Sequence, residues 1–168
     1  MGRFAVVDVE TTGFSRADRI VEVAVVVLDD QAGSIVGEFA TLVNPQRPMG
    51  ATGVHGITEA MVQSAPAFEQ IAGMLAGHLH GRVLVAHNLA FDQRFLTDEF
   101  ERAGFCVDAG IGVCTQQLTG ERLTVACQRR GIAIDSHHRA LADARAAAAL
   151  LIRQATYGEP VACRIQPC

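Results

Sequence analysis

The sequence predicts a mixed α/β fold, in which helices flank a central sheet within a single domain. Three observations lead to this prediction. Apolar runs rich in β-branched residues are concentrated near the N-terminus, apolar residues at helical spacing dominate the second half, and short strand patterns lie between the helices. The chain has 168 residues, 49% of them hydrophobic, which is enough for one buried core.

The N-terminal part of the chain is predicted to form three consecutive strands. Residues 4–10 are an apolar run that ends in acids and is broken by a Thr-Thr-Gly turn. Residues 19–29 and 35–44 are the next two runs, and the second of them ends at Pro45. Together the three strands predict a meander.

The remaining segments alternate between helices and short strands. Residues 45–58 are rich in Gly and Pro and predict a loop, after which Thr58-Glu59 opens a short helix. The tail at 158–168 contains two cysteines and two prolines, so we expect it to be loose and the domain to span 1–157. The other predicted helices follow Pro66 and span 89–103 (with Asn88 as N-cap), 120–130 and 139–156, and the other predicted strands span 82–86 and 110–114.

Composition disfavours several classes of protein. The most apolar stretch, 21–28, is too short to span a membrane and is interrupted by Glu22. The N-terminus lacks the pattern of a secretory signal, so we expect a cytoplasmic protein with reduced thiols. The five cysteines include no C-x-x-C pair, which argues against a zinc site or a disulfide framework. The formal charge of −4 is unusual for a nucleic-acid binder, although bound metal ions would change the local balance.

Two acids mark the end of the first predicted strand. Asp8 and Glu10 are two positions apart, so a strand places both side chains on one face. Carboxylates this close repel one another unless a cation lies between them, and hard divalent ions prefer such oxygen ligands. Both residues are therefore candidate metal ligands, although solvation of one acid and capping by the other would also account for them.

Further acids and two histidines lie near the starts of predicted helices. Asp92 falls in the first turn after Asn88, and Asp143 lies at the start of the last helix, where Asp is also common for capping. His137 and His138 precede Asp143, and an imidazole there could accept the proton of a metal-bound water. Spacing alone does not choose between the two histidines. The whole set has no Cys and is dominated by carboxylates, which favours Mg²⁺ or Mn²⁺ over Zn²⁺.

These residues belong to three ordered motifs that resemble those of the DnaQ-like (DEDDh) exonucleases, which include the proofreading epsilon subunit of bacterial DNA polymerase III. The family patterns are D-x-E-T-T-G, H-N-x-x-F-D and H-x-A-x-x-D. The resemblance covers residues 3 to 155, implies a ribonuclease H-like fold whose five-stranded mixed sheet has an antiparallel second strand, and selects His138 over His137. The matching segments are Asp8-Val9-Glu10-Thr11-Thr12-Gly13, His87-Asn88-Leu89-Ala90-Phe91-Asp92 and His138-Arg139-Ala140-Leu141-Ala142-Asp143, with His55-Gly56-Ile57-Thr58 between the first two.

The resemblance also implies a reaction and its participants. The chain would be a 3′–5′ exonuclease that releases nucleoside 5′-monophosphates from DNA with two divalent ions, Mg²⁺ or Mn²⁺. The implied partners are a single-stranded or frayed 3′ end and a DNA polymerase or repair protein. His138 would accept the proton of the attacking water, and the metal ligands would be Asp8, Glu10, Asp92 and Asp143.

Six further residues are expected to contact the substrate on the same resemblance. The backbone N–H of Thr12 would reach the 3′-terminal nucleotide, and His55 and Ile57 would pack against its base or sugar. Capping, packing or a structured loop would also account for these positions. The six residues are Thr11, Thr12, His55, Ile57, His87 and Asn88.

Two other functions compete with this prediction. One is an RNA 3′-end trimming exoribonuclease similar to ribonuclease T, because the motifs do not choose between DNA and RNA. The other is a non-catalytic nucleic-acid-binding module, which the five filled catalytic positions disfavour.

Overall fold

The centre of the molecule is a five-stranded mixed sheet in a computed structural model that describes residues 3–29, 33–154 and 163–168. A separate two-stranded sheet pairs β5 (Phe105–Asp108) with β7 (Arg164–Pro167). The strands of the central sheet are β1 (Phe4–Thr11), β2 (Ile20–Leu28), β3 (Ile35–Leu42), β4 (Val83–Ala86) and β6 (Val113–Cys114).

The central sheet has the strand order β3-β2-β1-β4-β6. β1 and β2 are antiparallel, as are β2 and β3, whereas β1 runs parallel to β4 and β4 runs parallel to β6. β2 is therefore the strand that runs against the other four, and the predicted mixed sheet with an antiparallel second strand is confirmed.

Helices cover both faces of this sheet. α3 and α4 pack on one face, and α7 covers the other. None of the helices in the described ranges is both long and apolar enough to cross a membrane. The helices are α1 (Thr52–His55), α2 (Glu59–Val62), α3 (Phe68–Leu79), α4 (Leu89–Arg102), α5 (Thr115–Thr119), α6 (Leu123–Arg129) and α7 (Ala140–Arg153).

Alternation along β1 divides its side chains between two cores. Val7 and Val9 pack with α3 and α4, while Phe4 and Val6 pack with α7. The side of α7 that meets the sheet is built mainly from alanines, so the helix lies close to β1 and β2. This close packing brings the N-terminal turn of α7 to the end of β1, where the acids lie. The small residues are Ala140, Ala144, Ala147 and Ala148.

Three local features differ from the sequence-based expectation. A short helix, α1, lies inside 45–58, where a loop was predicted. The expected helix at 120–130 begins only at Leu123, and α5 precedes it as a separate turn. The strand β5 was missed because its four residues are only partly buried and lack the apolar run typical of a core strand.

The expectation of a loose tail is wrong for residues 163–168, while 158–162 lie outside the described residues. β7 pairs along its whole length with β5, and both Cys163 and Ile165 are buried in the core beside α3 and α4. A disulfide joins Cys106 in β5 to Cys168, the residue that follows β7. This bond corrects the expectation of reduced thiols for these two cysteines, whereas Cys114, Cys127 and Cys163 are free. The pairing depends on a strand contact that cysteine spacing does not reveal.

Candidate active site

Three carboxylates converge at the C-terminal end of β1. Asp8 and Glu10 project from the same face of the strand, and Asp143 reaches them from the first turn of α7. Their ligand oxygens all lie within 4.8 Å of one another. The spacing of two along a strand and the alanine-lined contact of α7 together produce this convergence.

The fourth carboxylate, Asp92, is held against the backbone of β1. It lies in the first turn of α4, and its Oδ1 accepts a hydrogen bond of 3.1 Å from the N–H of Val9. That N–H is available because the pairing of β1 with β4 covers only Phe4, Ala5 and Val6. The early end of β4 thus opens the position that the buried Asp92 fills.

Burial and mutual repulsion raise the pKa values of these acids. The pKa of Asp8 lies well above its usual value, first because of burial and then because of the charges of Asp92, Asp143 and other acids nearby. Burial, with the charge of Asp143, raises the pKa of Glu10 to about 7. Burial likewise raises the pKa of Asp92 to about 8, against the opposing effect of the Val9 N–H.

The donor set fits hard divalent cations. It consists of carboxylate oxygens, and the one cation that lowers the pKa of Glu10 is the guanidinium of Arg139. Arg139 is already paired with Glu22, so it does not neutralise the group. Divalent ions bound by oxygens would remove the repulsion, as their coordination chemistry predicts.

Both histidines of the last motif lie beside Asp143. The Nδ1 atom of His137 is 2.9 Å from Asp143 Oδ1, and the backbone N–H of His138 donates to Asp143 Oδ2 at 3.0 Å. The rings of the two histidines lie with their centroids 3.7 Å apart. His138 therefore positions Asp143 through its backbone, while its own ring lies on the wall of the cleft.

The surroundings of the His138 ring favour its neutral form. Burial lowers its pKa, and the neighbouring His137 lowers it further, against the opposing charge of Asp143. Its backbone has φ of +63°, an uncommon conformation for a residue with a side chain. A neutral imidazole at this position is able to accept a proton.

An ion pair missed by the sequence analysis fixes the start of α7. Glu22 on β2 lies directly opposite Glu10 in the strand register, but its carboxylate turns to Arg139. It accepts hydrogen bonds from the Arg139 guanidinium, the shortest of 2.6 Å, and from the N–H of Ala140 at 2.9 Å. Glu22 thereby caps α7 and anchors the motif that carries Asp143.

The acids line an open cleft of about 730 Å³. One wall is apolar and includes the exposed side chain of Phe14, whose ring centroid is 6.1 Å from that of Phe91. Arg122, which directly precedes α6, also lines the cleft. Besides the acids and histidines described here, the residues that line the cleft include Thr11, Phe14, Ala51, Val54, Asn88, Phe91, Arg122 and Leu123.

Two of the expected substrate contacts do not fit the structure. The N–H of Thr12 is already donated to the carbonyl oxygen of Arg19 at 2.9 Å, so it is not free for a nucleotide. Ile57 is fully buried against Val21 and Val62 and does not reach the cleft. Both corrections have the same cause, since the segments that follow β1 and α1 pack onto the protein itself.

Two expected histidine contacts have structural partners at both ring nitrogens. His55 Nδ1 accepts from the N–H of Ile57, and Nε2 donates to the carbonyl of Thr11 at 3.2 Å. His87 Nε2 donates to the carbonyl of Glu121 at 3.0 Å, which leaves Nδ1 to accept from the Thr115 hydroxyl. Both rings line the cleft, but their nitrogens position the surrounding loops.

Thr11 and Asn88 remain at the cleft, as expected. The Thr11 hydroxyl donates to the carbonyl of Gly13 at 2.6 Å. Asn88 is exposed and is the N-cap residue of α4, as predicted, but its side chain makes no capping hydrogen bond. Its amide is therefore available to a ligand in the cleft.

Two glycines allow the loops around the cleft to meet. A Cβ added at Gly13 would lie 2.7 Å from the Asp18 carboxylate, which accepts from the Thr12 hydroxyl at 2.8 Å. A Cβ at Gly50 would come within 2.2 Å of the Thr12 carbonyl oxygen. Packing therefore explains the glycine of the first motif, Gly13, because there is no room for a side chain beside the Asp18 carboxylate.

Phe14 and Arg122 are the cleft residues that the sequence analysis did not select. The sequence did contain a signal for Phe14, because this aromatic residue directly follows the Thr-Thr-Gly turn and lies outside the predicted strands. Arg122 offered none, because nothing in its local pattern relates it to residues of the three motifs.

Comparison with known proteins agrees with this architecture. Residues 5–151 match the family RNase_T, described as exonuclease. The chain is 34% identical over 162 residues to a DNA polymerase III of the PolC type from Caldanaerobacter subterraneus, matching 90% of this chain and 11% of that protein. It is 38% identical over 164 residues to a DNA polymerase III subunit epsilon-like protein from Rhodobacter capsulatus, matching 89% of this chain and 23% of that protein.

A solved structure extends the comparison to three dimensions. Exonuclease X in complex with 5′ overhanging duplex DNA superposes with a TM-score of 0.69 and 31% identity, and the match covers 89% of each chain. The polymerase relatives are much longer, since this chain spans only about a tenth to a quarter of their length. The match to the family over residues 5–151, with the convergence of the three motifs on one cleft, establishes that this chain belongs to the DnaQ-like exonucleases.

Proposed function

We propose that the protein is a metal-dependent 3′–5′ exonuclease that releases nucleoside 5′-monophosphates from DNA. The observation that carries the proposal is the crowding of Asp8, Glu10, Asp92 and Asp143 around one cleft, where Arg139, the cation near Glu10, is paired with Glu22. Such a group is unfavourable unless divalent ions bind it, and a phosphodiester is the substrate that such ions activate.

The residues have distinct roles in this proposal. Asp8, Glu10 and Asp143 would hold one ion, and Asp92, together with Asp8, would help to hold a second. Two such ions, Mg²⁺ or Mn²⁺, activate water and stabilise the leaving oxygen when bound. A ring nitrogen of His138 takes the proton of the attacking water, the water oxygen bonds to phosphorus, and the 3′ oxygen of the preceding nucleotide leaves.

The cleft suits a chain end better than a long duplex. Phe14 and the Phe91 ring form an apolar surface on which a base can stack, and Arg122 lies where a backbone phosphate can bind. The exposed side chain of Asn88 is a further candidate contact. With one arginine lining the cleft, binding should be short-range and only weakly dependent on salt.

Several relatives favour DNA as the substrate. The polymerase relatives carry DNA polymerase III in their names, and the exonuclease with 31% identity was solved with DNA. We therefore place DNA ahead of RNA, and an RNA 3′-end trimming activity stays the alternative. A DNA polymerase or a repair protein is the partner class that the same relatives suggest. A cytoplasmic location stays a prediction, and the redox state of Cys106 and Cys168 in cells would test it.

The experiment follows the shortening of 5′-labelled single-stranded DNA and RNA of the same sequence. Incubations with Mg²⁺, Mn²⁺ or EDTA should give a ladder that shortens from the 3′ end only when a metal is present. Asp92→Asn should abolish the ladder, because it removes a metal ligand next to β1. Asp98→Asn is the matched control, since Asp98 lies on the same helix but does not line the cleft.

Each outcome has a defined meaning. Faster shortening of DNA supports the proposal, and faster shortening of RNA replaces it with the ribonuclease T-like alternative. Equal activity of the wild type and Asp92→Asn would exclude the proposed role of the four acids.

A further inference from the structure

Asp143 belongs to two overlapping groups of potential metal ligands. One is the oxygen-only group with Asp8 and Glu10, and the other comprises His137, His138 and Asp143. In the second group the ligand atoms, two of them imidazole nitrogens, also lie within 4.8 Å of one another. His137 is not part of the proposed catalytic set, so its contact with Asp143 has no role in the reaction described above.

The two groups have different metal preferences. Carboxylate oxygens suit Mg²⁺, which demands near-octahedral oxygen coordination. Two imidazoles and one carboxylate suit Zn²⁺, for which imidazole is a common ligand and which binds the same sites more tightly than Mn²⁺. Since both groups need Asp143, occupation of one competes with occupation of the other.

The ligand groups of the second site already lie together. His137 Nδ1 is 2.9 Å from Asp143 Oδ1, and the ring centroids of His137 and His138 are 3.7 Å apart. The Asp143 carboxylate is fixed by the N–H of His138. The side chain of His137 is 36% exposed, so an ion can enter from solvent and keep water as a further ligand.

We propose that His137, His138 and Asp143 form a binding site for Zn²⁺ or a similar transition-metal ion, and that the ion inhibits the exonuclease. The inhibition rests on the proposed function, because Zn²⁺ would take Asp143 from the catalytic ions and His138 from proton transfer. The binding itself does not depend on that function.

Direct titration of the metal-free protein with Zn²⁺ tests the binding. The wild type should bind Zn²⁺ tightly, and His137→Gln should weaken this binding by at least about tenfold, the loss typical even of an outer partner of a metal ligand. His78→Gln is the matched control, because His78 lies on α3 and stacks on Phe39 away from the cleft. Equal Zn²⁺ affinity in the wild type and His137→Gln would overturn the proposed site.

A second measurement adds Zn²⁺ to the reaction in saturating Mg²⁺. His137→Gln should need about tenfold more Zn²⁺ than the wild type for half inhibition, each compared with its own zinc-free rate. If Zn²⁺ binding depends on His137 but the wild type has no nuclease activity, the site stands and the proposed function fails. If activity is present and its inhibition by Zn²⁺ is the same in both proteins, the inference fails while the function stands.

Discussion

At the residue scale, the cleft combines a cluster of acids with one arginine that has no acidic partner. Arg122 makes no ion pair within the described residues, because the neighbouring Glu121 is bound by Arg129 and Arg130. The turn that carries Arg122 is fixed, since His87 donates to the carbonyl of Glu121. Arg122 is therefore a charged side chain on a fixed support beside the proposed metal ligands.

Substitution of Arg122 should weaken substrate binding. We expect Arg122→Ala to raise KM for a single-stranded oligonucleotide about tenfold, because the substitution removes one phosphate contact. The number of counterions released on binding, measured from the salt dependence, should fall by about one. Steady-state rates over a range of salt concentrations measure both effects. Arg129→Ala is the control, since Arg129 is the last residue of α6, the helix that Arg122 precedes, and does not line the cleft. A KM equal to that of the control would remove Arg122 from the substrate site.

At the element scale, the position of α7 determines whether the acids meet. Alanines allow the helix to approach the sheet, and Glu22 binds both Arg139 and the N–H of Ala140. A second ion pair, between Arg145 and Glu38, joins the same helix to β3 but is more exposed. The two pairs offer a comparison between a buried and an exposed anchor.

The buried anchor should contribute more to stability than the exposed one. We expect Glu22→Ala to lower the free energy of unfolding by about 1–3 kcal/mol, because it leaves the Ala140 N–H unsatisfied in the core. Glu38→Ala should cost about 0–1 kcal/mol, since exposed ion pairs contribute little. Urea unfolding measures the loss in each variant. The measurement is made in saturating Mg²⁺, because bound ions offset the repulsion among the cleft acids, which would otherwise also affect stability. Equal losses in the two variants would contradict the anchoring role of Glu22.

At the scale of the whole molecule, the acids should make the metal-free protein less stable as pH rises. The pKa of Glu10 is raised from 4.5 to about 7, and that of Asp92 from 3.8 to about 8. In this range the unfolded chain has lost protons that the folded chain keeps. The protonated acids therefore contribute their full stabilisation below the pKa values of the unfolded chain. This stabilisation is lost as pH rises through the higher pKa values of the folded chain.

Thermal unfolding with and without metal measures this effect. In EDTA the Tm should fall between about pH 5 and pH 8, and in saturating Mg²⁺ the fall should be absent, since the metal binds the ionised acids. The control is Asp8→Asn, which removes one of the crowded carboxylates and should make the profile in EDTA flatter. A Tm in EDTA that does not change with pH would show that the acids are not coupled to folding.

The disulfide between Cys106 and Cys168 should stabilise the whole domain without affecting catalysis. Its partners are 62 residues apart, and none of the residues of β5 or β7 lines the cleft. We expect Cys168→Ser to lower the free energy of unfolding by about 2–4 kcal/mol, because the unfolded chain regains entropy. Activity at room temperature should be retained.

Chemical denaturation with and without reductant measures this effect. Reductant should lower the denaturation midpoint of the wild type and leave that of Cys168→Ser unchanged. A wild-type midpoint that does not respond to reductant would show that the bond does not contribute to stability.

The sequence by itself determined the central sheet and predicted the acids that converge on the cleft. Asp8 and Glu10 share a face because a strand has a period of two, and Asp92 and Asp143 lie at helix starts that local patterns reveal. The three motifs occur in the order and with the spacing of the family, so the resemblance predicted the family and the sheet topology correctly. The strands, the helix starts and the motifs themselves depend on residues close together in the chain.

Only the tertiary structure decided which groups near the acids are free to bind. The N–H of Thr12 is used by Arg19, Ile57 is buried, and the ring of His87 is held by Glu121. Contacts between distant segments also produced the disulfide of β5 with β7 and placed Arg122 on the cleft. Local patterns carry no record of such contacts, because a hydrogen-bond partner or a disulfide partner is selected by packing in space and not by position in the chain.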